Sequence, residues 1–243
     1  MIHLWHDALR AVVLILTGDP EVWQVAGVSL EVSVAALALA CVAGIPLAYS
    51  LAFSETRAAR LASWLLHTLT ALPTVVVGLG LYFLLSASGP FGWMDVLYTR
   101  VAMVTGQFVL GLPIVAAVSL TALRGLPREA RETAATLGLA GVTRMRVLLA
   151  EVQGPLLSAI LIAFARVFTE LGAAVILGGN IRGRTRTLTT VIALEYTKGE
   201  DARAIALGII LMAVALTVNA ILHAATLWRP APAERAPIQV VEN

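Results

Sequence analysis

Five apolar stretches dominate the chain, at 25–53, 61–85, 101–123, 156–178 and 204–228. Each is close to the ~20 residues a helix needs to cross a bilayer. Inside lipid every backbone amide needs an internal partner, which makes helices close to forced for segments of this length. Composition agrees: 13% of the 243 residues are charged, against about 25% in soluble domains. The expectation is an all-α membrane protein of five transmembrane helices, with residues 20–228 as a single transmembrane domain.

The same composition excludes several classes of function. A net charge of +2 is too small to point to nucleic acid. Cys41 is the single cysteine, so neither an intrachain disulfide nor a cysteine metal cluster is open to the chain. His3 and His6 would share a face if helical, but read as surface imidazoles rather than a metal site. Lys198, the only lysine, sits in YTKGE, so there is no Gly-Lys-Ser/Thr loop to cradle phosphates and no ATP hydrolysis by this chain.

No small-residue cleavage site follows the short apolar run at 11–16, so the N-terminus does not read as a cleaved signal. TGDPEVW follows instead, with Asp19 placed to cap a helix, Pro20 at its first position and Glu21 in its first turn. Residues 1–19 therefore read as an interfacial amphipathic helix ahead of the first membrane helix. The Pro- and Ala-rich residues 229–243 read as a disordered tail.

Counting Lys and Arg in alternate loops gives nine on the side of Arg57, Arg124 and Arg229 and seven on the other. The excess places the first side, and with it the C-terminus, in the cytoplasm. The segment 179–203 supplies five of the opposing seven, so it needs its own reason to be basic outside.

The long loop 124–155 reads RGLPREARETAATLGLAGVTRMRVLLAEVQGP. Residues 128–137 hold no Gly or Pro and end at Gly138, which predicts a short helix stopped by glycine. A surface linker helix fits this pattern as local chemistry. Glu132, Thr133 and Ala134, followed after three residues by Gly138, also resemble the EAA loop of ABC-importer permeases: Glu-Ala-Ala, three residues, Gly, nine residues, Ile-x-Leu-Pro. Thr133 stands where that pattern has alanine, Leu148 where it has isoleucine, and Ala150 and Glu151 where it has Leu-Pro. GIPLAYSLAF, LPTVVVGLGLYFLL and FTELGAAVILGGNIRGRTRTLTTVIALEYTKGE look like permeases of the molybdate and tungstate importers, the last most like the tungstate branch.

The resemblance, over residues 20–225, implies a type I, molybdate-permease-like fold in the bacterial or archaeal inner membrane. It implies that loop 124–155 couples to a cytoplasmic ABC ATPase subunit, which binds ATP and Mg in place of any cofactor on this chain. It further implies an extracytoplasmic substrate-binding protein and a homodimer of the permease. The cargo it implies is tungstate or molybdate; sulfate or phosphate remain alternatives. A secondary transporter driven by an ion gradient is the rival from another class, supported by the intramembrane charges Glu31, Arg166 and Glu170.

Three places are candidates for the translocation path or a gate. Arg182, Arg184 and Arg186 occupy alternate positions, and arginine forks suit tetrahedral dianions. Contacts to lipid headgroups or to the docking binding protein explain the same arginines. Asn180, among Gly178, Gly179 and Gly183, marks irregular backbone at the outer end of the fourth span. Finally, AFARVFTELGA puts Arg166 and Glu170 one turn apart near mid-membrane. Unpaired, the two would cost on the order of 5–7 kcal/mol. They either pair with each other, locking the helix against a neighbour such as Glu31's, or face the cargo. Pro46, Pro73 and Pro113 lie inside spans and read as kinks, or as hinges.

Overall fold

The computed structural model describes residues 19–227, and among these there is no β-strand. The interfacial helix over 1–19, apart from Asp19 itself, and the tail 229–243 lie outside the described residues. The helices are α1 (Pro20–Ala52), α2 (Arg57–Leu69), α3 (Thr74–Leu85), α4 (Arg100–Arg124), α5 (Arg128–Thr136), α6 (Gly141–Glu151), α7 (Gln153–Phe168), α8 (Gly172–Gly178), α9 (Leu188–Lys198) and α10 (Asp201–Leu227). Three of them, α1, α4 and α10, are each long and apolar enough to cross a membrane, and two bent pairs raise the number to as many as five.

Helix α1 starts as its sequence dictates: the Asp19 carboxylate accepts from the backbone N–H of Glu21 at 2.9 Å and of Val22 at 3.4 Å, with Pro20 at the first position. Its length of 33 residues is about 50 Å. Ala36, Ala40, Gly44 and Ala48, four residues apart, are all buried and form one narrow stripe. A Cβ on Gly44 would lie 3.3 Å from Val115 and 3.4 Å from the Ala116 backbone, so the stripe lets α1 and α4 approach closely. Around this central pair, Ile114 and Val115 meet Ala163 of α7. Phe164 and Phe168 of α7, stacked at 5.1 Å, join Leu188 and Val191 of α9 and Leu207 and Ile210 of α10. The outward faces of α3 and α10 expose Val75, Val76, Phe83, Met212, Leu216 and Ile221, as helices bordering lipid do.

Three readings of the sequence are corrected. The stretch 61–85 is not one helix: α2 and α3 meet at a bend of 109°. Pro73, which has no N–H to give and disfavours helix in the residue before it, stands at the N-cap of α3 rather than inside a helix. Pro46 and Pro113, by contrast, lie within continuous helices. The stretch 156–178 is also divided, α7 ending at Phe168 and α8 beginning at Gly172. The basic segment 179–203 is not simply a loop, because α9 occupies 188–198. Thr187 and Thr190 form a reciprocal capping box at the start of α9, and Gly199 in the left-handed region ends it.

Candidate functional site

At the end of the bundle where α4 finishes, α5 and α6 form an elbow. Gly138 and Gly141 both have positive φ, 66° and 53°, with open space where a Cβ would stand, and this lets the chain turn between the two helices. The elbow is seated by its inner face: Ala134 and Leu148 are buried against Leu120, Leu123 and Leu126. Arg131 donates to the Leu123 and Arg124 carbonyls, and the guanidinium carbons of Arg131 and Arg144 each lie 5.6 Å from the Phe53 ring centre. Arg124 ties the same end together by donating to Ser63 Oγ at 2.7 Å. The outer face carries Glu132, Thr133 and, 67% exposed, Leu137; Val142 beside them is 59% exposed. Glu132 itself takes a hydrogen bond from Arg128 at 2.6 Å on the solvent side.

Midway along the bundle the charges of AFARVFTELGA do meet, but unequally. Arg166 Nη1 lies 3.7 Å from Glu170 Oε2; the glutamate side chain is 2% exposed and the arginine 43%. Glu170 sits in the break between α7 and α8, and its Oε1 accepts the Ala173 N–H at 3.0 Å. Its own carbonyl accepts Thr189 Oγ1 at 2.8 Å. The carboxylate is thus committed to closing the interrupted helix, satisfying backbone groups that the break frees. The Arg166 side chain makes no hydrogen bond among the described residues. It lines a groove of about 470 Å³ together with His67, Thr70, Ile114, Thr121 and Ile162. Glu31 is not its neighbour: that carboxylate takes Arg100 Nη1 at 2.5 Å.

At the opposite end the three alternate arginines do not act as one row. Arg182 and Arg186 reach back to Glu21, at 2.7 and 2.9 Å, and Arg203 joins them at 2.9 Å. Three arginines, two of them from the alternate set, are thereby held on a carboxylate that the sequence marked only as a first-turn acid. Arg184 points elsewhere, into a cleft of about 350 Å³ that it shares with Thr99, Arg100, Gly183 and Thr185. Its guanidinium has no partner among the described residues. Asn180, with φ 49°, accepts Thr190 Oγ1 at 3.0 Å and fastens the turn onto α9, so its polar groups serve the loop. Leu188 N–H finds Ser29 Oγ at 2.7 Å, which joins the start of α9 to α1. Among the described residues no group of His, Cys, Asp and Glu side chains could hold a metal ion.

Sequence reasoning missed Arg100, Glu21, His67, Thr70 and Thr121. Their neighbours in the two clefts and in the Glu21 cluster come from elements far along the chain, which no local pattern reports.

Residues 44–225 match the family described as the binding-protein-dependent transport system inner membrane component, and the chain belongs to that family, the permeases of ABC importers. It is 34% identical to the tungstate uptake system permease protein of Peptoclostridium acidaminophilum, over 88% of this chain and 93% of that one. To a probable anion ABC transporter permease protein of Haloferax volcanii it is 37% identical, over 82% and 88% of the two chains. The fold is that of the MetNI methionine ABC transporter in its inward-facing conformation, at a TM-score of 0.63 and 16% identity over 84% of this chain and 94% of that one. Membership in the family implies a substrate-binding protein and an ATPase as partners.

Proposed function

We propose that this chain is the membrane-spanning subunit of an importer for a tetrahedral oxyanion, tungstate ahead of molybdate. In this reading two copies form the path, and the α5–α6 elbow receives the stroke of a separate ATPase on the cytoplasmic side. The C-terminus then lies in the cytoplasm, and the Glu21 end faces the binding protein.

The observation that carries the reading is the elbow. Its buried inner face and paired arginines make it rigid against the bundle, while Leu137 and Val142 stand exposed at its tip as an apolar contact for another protein. A lever needs those two properties together. The choice of cargo is supported by the anion and tungstate permeases to which the chain is similar and by the cleft of Arg184, whose unpartnered fork suits such oxygens while Arg100 beside it is held by Glu31 and the Arg184 carbonyl. A channel or gradient-driven carrier would have no use for the elbow.

The test is uptake by proteoliposomes that contain the permease, its ATPase and its binding protein. The reading expects tungstate to enter and molybdate to compete better than sulfate. Preferential entry of sulfate or phosphate would overturn the choice of cargo.

A further inference from the structure

We infer that Arg166, His67, Thr70 and Thr121 form a way-station for the dianion inside the membrane, at the groove beneath the bend between α2 and α3. The inference rests on the anion-importer reading above and gives it a site within the path.

Arg166 lacks partners for most of its donors. A guanidinium carries five N–H donors, and this one makes a single long approach to a carboxylate already engaged with the Ala173 N–H. A half-exposed cation near the middle of a span is costly unless it faces water or an anion. Had the pair existed only to lock the helix, the two side chains would be buried together with close hydrogen bonds. Instead the glutamate is buried and the arginine opens into the groove.

The rest of the lining supplies complementary chemistry. Thr70 and Thr121 carry hydroxyls that now satisfy carbonyls of their own turns, at His67 and Ala117, at 2.6 and 3.0 Å. Such hydroxyls rotate to suit a new acceptor. His67 adds a ring N–H from α2. Thus one permanent cation, two hydroxyls and an imidazole line one groove from α7, α4 and the end of α2, while Ile114 and Ile162 keep the walls apolar. The nearby carboxylate keeps the cation's grip moderate, and a transport path needs a site that can also release. A second groove, lined by Gly154, Pro155 and Ser158, adjoins the first at Val118 and leads toward the elbow end.

The experiment measures tungstate held by the purified permease–ATPase complex in nanodiscs, without binding protein, by equilibrium dialysis and elemental analysis. The expected result is saturable retention that sulfate and molybdate displace and chloride does not. Arg166→Gln should weaken it by about tenfold or more, the worth of a charged hydrogen bond. Thr121→Val, which leaves the Arg166–Glu170 contact intact, should weaken it several-fold. No retention by the parent complex, or retention unchanged in an assembled Arg166→Gln complex, overturns the inference. Should Arg166→Gln fail to assemble, Thr121→Val and His67→Gln decide, and unchanged retention in both overturns it. Retention of sulfate but not tungstate, lost in Arg166→Gln, would keep the site and remove only the choice of cargo.

Discussion

The Glu170 carboxylate lies 3.7 Å from Arg166 while its other oxygen accepts the Ala173 N–H, so the two charges of the fourth apolar stretch have different duties. One holds a broken helix together and the other opens into a groove. Glu170→Ala should therefore destabilise the folded permease by about 1–3 kcal/mol, the cost of leaving a buried donor unpaired. Arg166→Gln should leave thermal unfolding close to that of the parent while impairing uptake. Thermal scans of both variants in detergent check the asymmetry. Equal losses of stability would mean that the pair is a structural lock.

The Glu21 cluster predicts a graded response. Arg186 is 17% exposed and Arg182 73% exposed, though both donate to the same carboxylate. Solvent screens the exposed pair, so Arg182→Gln should leave stability within about 0.5 kcal/mol of the parent. Arg186→Gln removes the better shielded bond and should cost about 1–3 kcal/mol. Hydrogen exchange across 179–187 should quicken in the second variant alone.

In the elbow, Gly138 has φ 66° and nothing within 4 Å of the place a Cβ would take, so only backbone strain opposes substitution. Gly138→Val should cost about 1–2 kcal/mol locally. Insertion into the membrane should be normal, whereas binding-protein-stimulated ATP hydrolysis should fall severalfold. Stimulation at the parent level would remove the elbow from the coupling route.

Arg184 is separated by the fold from the arginines on either side of it. Arg184→Glu replaces the unpartnered cation of the cleft with an anion and should depress uptake strongly, while Arg182→Gln should not. Affinity of the complex for the binding protein, measured by surface plasmon resonance, should stay unchanged in Arg184→Glu. A parallel fall in that affinity would make Arg184 a docking residue rather than an anion contact.

Much of this architecture was legible in residue order. Apolar length marked the five stretches, Asp19-Pro20-Glu21 marked the start of α1, and Gly138 marked the end of α5. The interruptions were less so. The break at 169–171 is stable because Thr189 and the Glu170 side chain satisfy the local backbone, and the former is 19 positions away. Local sequence shows an apolar run there and carries no sign of such compensation. Likewise Arg182, Arg186 and Arg203 find Glu21 across 161, 165 and 182 positions, so three cations that read as a basic loop share one carboxylate. Spacing alone did bring Arg166 to Glu170. Which of them faces the groove depends on where α7 ends.

In the proposed function, movement through this permease is driven by a partner's ATP hydrolysis. Uptake of tungstate into proteoliposomes holding the full complex, with ATP on the elbow side and binding protein on the other, tests it most directly. The expected result is uptake that needs both ATP and binding protein and persists when an uncoupler collapses the proton gradient. Uptake that survives without ATP and stops with the uncoupler would contradict it.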